Sequence, residues 1–202
     1  MLRCVFLFGL VLANIPAIAQ SDLYDNGPSD GQDIAWTINF GYAVSDAFTL
    51  SSNSSVNGLT FTAWLDPGDT LGAIEVAITS SEFGGTTYFD QTVNFSQSGC
   101  FLNGQGFNVC TGSGAFGTNV NLPAGTYWLT LDNACCDDSV YWDQNSGPSL
   151  ASESSVGTIP SESFTILGSS GTSTGTTPEP DSILLFGSGI LGVAGMLRRK
   201  LF

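Results

Sequence analysis

The sequence has no histidine, and its four basic residues all lie near its two ends, at Arg3, Arg198, Arg199 and Lys200. The stretch 21–177 therefore contains no histidine, lysine or arginine. That absence excludes Ser-His-Asp and Cys-His catalysis, histidine-bound zinc or copper, lysine Schiff bases and phosphate-binding P-loops. It also excludes nucleic-acid binding, which rests on cationic contacts to phosphate.

The same stretch is strongly acidic. It keeps 16 of the 18 acidic residues and has no cation, so its net charge is −16. A surface of one sign keeps a protein soluble and resists association with anionic polymers and lipid head groups. The charge does not indicate disorder, because the chain is 42% hydrophobic and 11% aromatic. Chemistry in this stretch is limited to carboxylates, hydroxyls and metals bound through oxygen.

The N-terminus has the features of a secretory signal peptide. Arg3 precedes the apolar residues 5–12, and Ala17-Ile18-Ala19 has the small-x-small form of a cleavage site. The apolar core is too short to span a membrane. We expect residues 1–19 to be removed by cleavage between Ala19 and Gln20 and the rest of the chain to be exported.

The last 25 residues combine three features in a fixed order. Pro178-Glu179-Pro180 is followed by an apolar run from Ile183 to Leu197 and then by three consecutive cations. As a helix rising ~1.5 Å per residue, the run spans about 22 Å, short of a ~30 Å hydrocarbon core, and local bilayer thinning accommodates the mismatch. The order predicts a single transmembrane helix over 183–197 and a basic tail that stays cytoplasmic.

This arrangement resembles the bacterial PEP-CTERM sorting signal, in which Pro-Glu-Pro precedes a short transmembrane helix and an arginine-rich tail. The resemblance implies that residues 178–202 are handled by an exosortase, a membrane-embedded cysteine protease-transpeptidase of exopolysaccharide-producing Gram-negative bacteria. It also implies export across the inner membrane to the cell envelope, outer surface or extracellular matrix, with membrane attachment through the helix before processing. Tyr24-Asp25-Asn26-Gly27 and Ala124-Gly125-Thr126-Tyr127-Trp128-Leu129 are similar to segments of PEP-CTERM surface proteins of unknown role.

Between the two ends, apolar and polar residues alternate with a period of two, as in 34–40, 59–65 and 127–131. Clusters of Gly, Pro, Asn, Asp and Ser separate these segments, and none of them keeps a helical period. The pattern predicts an all-β domain over 20–167, an antiparallel β-sandwich of jelly-roll type. Residues 168–177 are rich in Gly, Ser and Thr and are predicted to form a flexible stalk.

Four cysteines remain after the signal peptide, at Cys100, Cys110, Cys135 and Cys136. An even number in an exported chain indicates two disulfides, for which three connectivities exist. We favour a Cys100–Cys110 bridge, because the Gly- and Asn-rich segment between them can curl back on itself. Cys135 and Cys136 then form a vicinal disulfide or remain thiols; in the alternative, each pairs with one of the first two.

Two acidic clusters are candidate metal sites. Oxygen-rich loops of this kind can hold Ca²⁺, which is the only cofactor that the sequence suggests, and neither cluster has EF-hand spacing. The alternative is turn formation, in which Asp side chains accept hydrogen bonds from their own backbone. The candidate ligands are Asp25, Asp30 and Asp33 in the first cluster and Asp137 and Asp138 in the second.

Trp64 and Trp128 are candidate sugar-binding residues. Both lie on the polar faces of their predicted strands, where an exposed indole ring can act as a platform for a sugar ring. The alternative is that the second sheet of the sandwich covers them.

These observations predict an exported surface or matrix protein without catalytic activity. A first alternative is a carbohydrate-binding module for exopolysaccharide. A second is a glycoside hydrolase that uses two carboxylates, which need a spacing of roughly 5–10 Å that a sequence does not reveal.

Overall fold

The computed structural model describes residues 20–135 and 138–171, which contain twelve β-strands and no helix. The described residues therefore contain no helix that could cross a membrane. The predicted signal peptide over 1–19, residues 172–177 of the predicted stalk and the predicted helix over 183–197 lie outside the described residues. The strands are β1 (Ser21–Asp25), β2 (Ala35–Thr37), β3 (Ala43–Leu50), β4 (Ser54–Leu65), β5 (Ala73–Ser81), β6 (Gly84–Leu102), β7 (Asn108–Leu122), β8 (Gly125–Asp132), β9 (Tyr141–Asp143), β10 (Ala151–Glu153), β11 (Gly157–Ile159) and β12 (Phe164–Ser170).

The strands form one curled antiparallel sheet. The hydrogen-bonded order is β1-β12-β4-β7-β6-β5-β8-β3-β10-β11, with β9 paired to both β4 and β2. The 19-residue strand β6 joins two halves, because its first part pairs with β5 and its last part with β7. We call β1, β12, β4, β7 and the last part of β6 the front half. The back half consists of the first part of β6 with β5, β8, β3, β10 and β11.

The hydrophobic core is built from alternate residues of both halves. Phe61 and Leu65 of β4 are buried in the front half, and Leu129 of β8 is buried in the back half. Phe48 of β3 and Phe164 of β12 connect the halves, with ring centroids 6.5 Å apart in an edge-to-face contact. Each fully buried side chain of this size contributes roughly 1.5–3 kcal/mol to the stability of the fold. The alternation of apolar and polar residues predicted this core, and its packing stabilises the curled sheet.

The all-β class and the antiparallel arrangement are confirmed, while the jelly-roll connectivity stays a prediction. The boundary placed after residue 167 is three residues too early. Strand β12 continues through Gly168 to Ser170, where these residues pair with Val56 to Ser54 of β4. The composition of residues 168–170 suggested a flexible stalk. In the structure these residues form backbone hydrogen bonds with β4, and this pairing extends the strand.

The Cys100–Cys110 disulfide joins β6 to β7 and confirms the favoured pairing. It lies at a bulge between Ser98 and Phe101, where the register of the two strands shifts. Gly99 takes a φ of 63° at this bulge, a backbone conformation that glycine adopts without steric cost. The bridge therefore fixes a point at which β6 departs from regular pairing.

The second predicted cysteine pair is described only in part. Cys135 is exposed, and its sulfur accepts a hydrogen bond from the backbone N–H of Ala73 at 3.0 Å. Cys136 lies outside the described residues. A second disulfide, vicinal or otherwise, stays a prediction.

Candidate functional site

The outer face of the front half carries two rows of hydroxyl side chains that cross four neighbouring strands. The rows arise because Ser and Thr occupy the outward positions of these strands while residues such as Phe61 and Phe164 point into the core. Neighbouring strands lie ≈ 4.7–4.9 Å apart, which sets the spacing of hydroxyls along each row. We call the following residues the hydroxyl face: Thr165, Thr60, Ser113 and Ser96 in the first row, and Ser163, Thr62, Thr111 and Ser98 in the second.

A groove of about 350 Å³ lies over part of the hydroxyl face, within the size range of ligand sites. Its walls include the loop from Asp25 to Ser29 and the residues Gly99 and Phe101 of β6. The side chain of Phe101 is 48% exposed, so an aromatic ring borders the hydroxyl groups. The threonines that line the groove are Thr60, Thr62, Thr111 and Thr165.

The loop beside the groove packs closely on Phe101. A Cβ added at Gly31 would come within 2.9 Å of the Phe101 ring and 3.2 Å of a Val109 methyl group. Gly31 also has a φ of 63°, which favours glycine. Residue 31 is therefore restricted to glycine by both space and backbone conformation, and the ring of Phe101 is held in place.

Hydrogen bonds fix the rest of this loop. Asp25 accepts a hydrogen bond from the Gly27 N–H at 2.9 Å. The Asn145 side chain donates to the carbonyls of Asn26 at 2.8 Å and Gly27 at 3.1 Å, and the Gly31 N–H donates to Asp143 at 3.3 Å. Hydrogen bonds within the chain thus hold this wall of the groove, and a wall held in this way loses little conformational freedom when a ligand binds.

Three fully buried carboxyl groups, those of Asp46, Asp143 and Glu162, form a second polar feature. Asp46 accepts three hydrogen bonds, from the Asn26 side chain at 3.0 Å and from the backbone N–H groups of Glu162 at 2.8 Å and Ala47 at 2.6 Å. Burial raises the pKa of Asp46, and these donors oppose the shift. Since the stretch 21–177 has no basic residue, neutral donors replace ion pairs here.

Asp143 and Glu162 differ in how they are satisfied. Asp143 accepts a hydrogen bond from the Trp64 indole at 2.6 Å, and burial raises its pKa to about 6. Among the described residues, neither carboxyl oxygen of Glu162 has a hydrogen-bond partner. Burial raises the pKa of Glu162 well above its ordinary value, and the charges of Asp46 and Asp143 raise it further. Burial without a hydrogen-bond donor therefore favours the protonated form of Glu162.

The sequence did not predict that these three carboxyls are buried, although the alternation of buried and exposed residues marks two of the positions. Asp46 lies in phase with the buried residues Val44 and Phe48, and Glu162 lies in phase with Phe164. Because all three carboxyls are fully buried, a sugar chain has no access to them. This cluster is not the acid pair that a glycoside hydrolase needs.

The first predicted calcium cluster forms turns. Asp30 accepts hydrogen bonds from the N–H groups of Gln32 at 2.9 Å and Asp33 at 3.4 Å, and Asp25 contacts Gly27 in the same way. Such hydrogen bonds from backbone N–H groups to nearby Asp side chains are those expected if the aspartates form turns, which was the alternative to calcium binding. They use backbone donors and bring no set of carboxylates in this loop together.

In the second predicted cluster, Asp137 lies outside the described residues. Asp138 instead lies close to two aspartates that the sequence analysis did not group with it. The carboxylate oxygens of Asp138, Asp66 and Asp69 all lie within 4.8 Å of one another. Asp138 is exposed and the other two are half-buried. The sequence did not suggest this group, because the turn after β4 and the segment after β8 meet only in the folded chain.

The predicted sugar platform at Trp64 is wrong. Trp64 is only 4% exposed: its indole N–H donates to Asp143, and its ring lies 5.8 Å from that of Phe107. Residues of the β6–β7 loop and β9, and not a second sheet, cover this end of the polar face. Trp128 is half-buried on β8 in the back half and does not line the groove, so its role as a platform stays a prediction.

Comparison with known proteins places a family match at the C-terminal end of the chain. Residues 176–200 match the family described as the PEP-CTERM protein-sorting motif. A comparison with curated proteins gives no match. The motif supports an exosortase-targeted, exported protein of the cell envelope or surface. It lies outside the strand domain and assigns no role to the groove.

Proposed function

We propose that this chain is an exosortase-processed cell-surface or extracellular-matrix protein without catalytic activity, made by an exopolysaccharide-producing Gram-negative bacterium. The observation that carries the proposal is the sorting motif at residues 176–200. Before processing, the predicted helix over 183–197 attaches the protein to the membrane. After processing, the strand domain is the part that acts outside the cell.

The lining of the groove supports a role without catalysis. With no histidine, lysine or arginine in 21–177, most combinations of nucleophile, base and oxyanion donor are missing. Hydrolysis by carboxylates alone needs two of them, roughly 5–10 Å apart. Among the described residues that line the groove, Asp25 is the only one with a carboxylate.

Replacing Pro178, Glu179 and Pro180 with alanine tests the proposal. The two prolines hold the backbone extended beside the membrane, and Glu179 supplies the charge at the centre of the motif. In the native host, the triple variant should accumulate as an unprocessed precursor in the membrane fraction, detected by immunoblotting.

The matched control is a triple alanine variant of Thr172, Ser173 and Thr174, which precede the matched motif. The control should be processed like the natural chain. Normal processing of the variant in Pro178-Glu179-Pro180 would contradict the sorting function.

The groove favours one second function, the binding of carbohydrate. Four threonines and a half-exposed phenylalanine line it. Sugars present both hydroxyl groups and apolar C–H faces, and this lining offers hydrogen-bonding groups and an aromatic surface to match them. The candidate site therefore lies on the hydroxyl face, and not at Trp64.

A further inference from the structure

We propose that the groove over the hydroxyl face binds an uncharged polysaccharide chain. The proposal rests on the second function, carbohydrate binding, and adds the site, the class of polysaccharide and the contacts that select it. It does not depend on sorting by exosortase, because the groove belongs to the strand domain.

Charge selects against an anionic chain. Of the groove-lining residues that the structure describes, only Asp25 has a charged side chain, and the stretch 21–177 carries a net charge of −16 without a cation. A carboxylated or sulfated polymer would be repelled by this field and would find no lysine or arginine to pair with. An uncharged chain meets neither obstacle.

The hydroxyl groups of the groove are available to a ligand. The side chains of Thr60, Thr111 and Thr165 make no hydrogen bond to a described residue, whereas Thr62 shares one with Ser163 at 3.3 Å. A threonine hydroxyl can both donate and accept, so each can pair with a sugar hydroxyl in either role. Their regular spacing across strands suits a ligand whose hydroxyl groups repeat along a chain.

Phe101 supplies the apolar part of the contact. Its ring is 48% exposed at the wall of the groove, where it can pack against the C–H face of a sugar. Gly31 packs against it, and the neighbouring Cys100–Cys110 bridge ties its strand to β7. A ring that is already fixed loses little conformational freedom on binding, so Phe101 is the residue on which affinity depends most.

Native affinity electrophoresis of the full chain, purified in detergent, tests the site. Gels contain hydroxyethyl cellulose, galactomannan or dextran as uncharged polymers, or alginate as an anionic one. We expect retardation by at least one uncharged polymer and none by alginate. Phe101→Ala, and separately the pair Thr60→Val with Thr111→Val, should weaken the retardation at least tenfold. Valine keeps the shape of threonine, so the pair tests the hydroxyl groups without removing side-chain volume.

Two variants in the first part of β6 serve as matched controls. Tyr88→Ala removes an aromatic side chain that is 41% exposed, and Thr92→Val removes an exposed hydroxyl; neither lines the groove. Both should bind like the natural chain. The proposal is overturned if no uncharged polymer retards the protein, if alginate retards it equally, or if both groove variants bind normally. Processing of Phe101→Ala in the host should be normal, which separates failure of binding from failure of sorting.

Discussion

Raising the pH from about 5 to about 8 should destabilise the strand domain. Burial raises the pKa of Asp143 to about 6 and that of Glu162 well above its ordinary value. The folded chain therefore binds more protons than the unfolded chain in this interval, so its stability falls as the pH rises. The loss begins near the unfolded pKa values of about 4, passes through 6 for Asp143 and continues to higher pH for Glu162.

The magnitude can be worked out for Asp143. The pKa of Asp143 rises from 3.8 to about 6. About one pKa unit of this shift lies above pH 5, and at 1.36 kcal/mol per unit it sets an upper limit of about 1.4 kcal/mol on the loss between the two pH values. Asp143 lies under the loop beside the groove, and screening reduces the expected loss to roughly 1 kcal/mol. Burial, Glu75 and Asp90 raise the pKa of the half-exposed Asp132 to about 6 as well, which adds to the decline in the same direction.

Urea unfolding at the two pH values measures this loss. The buried Trp64 and Trp142 report unfolding by fluorescence, and a chelator in every sample removes adventitious metal ions. Glu162→Gln keeps the size of the side chain and cannot ionise, and Asp143→Asn keeps an oxygen that can accept from Trp64. Each variant should reduce the difference in unfolding free energy between the two pH values, by about 1 kcal/mol for Asp143→Asn.

Asp33→Asn is the control, because Asp33 is an exposed carboxylate in the segment between β1 and β2. It should leave the pH dependence of the natural protein unchanged. The reasoning is refuted if the natural protein is as stable at the higher pH as at the lower one. It is also refuted if Glu162→Gln has the same pH dependence as the natural chain.

Three further outcomes are expected. The double variant Cys100→Ser with Cys110→Ser should lose roughly 2–3 kcal/mol of unfolding free energy in urea, because the bridge no longer restricts the unfolded chain; an unchanged midpoint would contradict this. Trypsin should not cleave within 21–177 even after unfolding, since that stretch has no lysine or arginine; mass spectrometry of the fragments checks it. Assays for reducing ends should detect no hydrolysis of uncharged polysaccharides, and turnover that disappears in Asp25→Asn would overturn the proposal of a protein without catalysis.

The sequence predicted those parts of the fold that depend on local pattern. Alternation over 59–65 lies within β4, and the short Gly-rich segment between Cys100 and Cys110 was enough to favour their bridge. The 19-residue length of β6 was not predicted, because its apolar residues are spaced irregularly and its role in joining two halves depends on partners distant in sequence.

The candidate site was less predictable for the same physical reason. Thr60 and Thr62 were recognised as a polar face, but their alignment with Thr111 and Thr165 follows from the register of three strands. Trp64 shared that face by pattern and is nevertheless buried, because Phe107 covers it. Burial by loops leaves no periodic signal in a sequence.

The position of β12 has a mechanical consequence. The described chain leaves the sheet just after Ser170, at the end of a strand that has β1 on one side and β4 on the other. A force applied along β12 from this end pulls against both ladders of hydrogen bonds at once, in shear, and does not open them one after another as it would in peeling. The domain is thus built to resist tension that is applied at the end leading to the sorting motif.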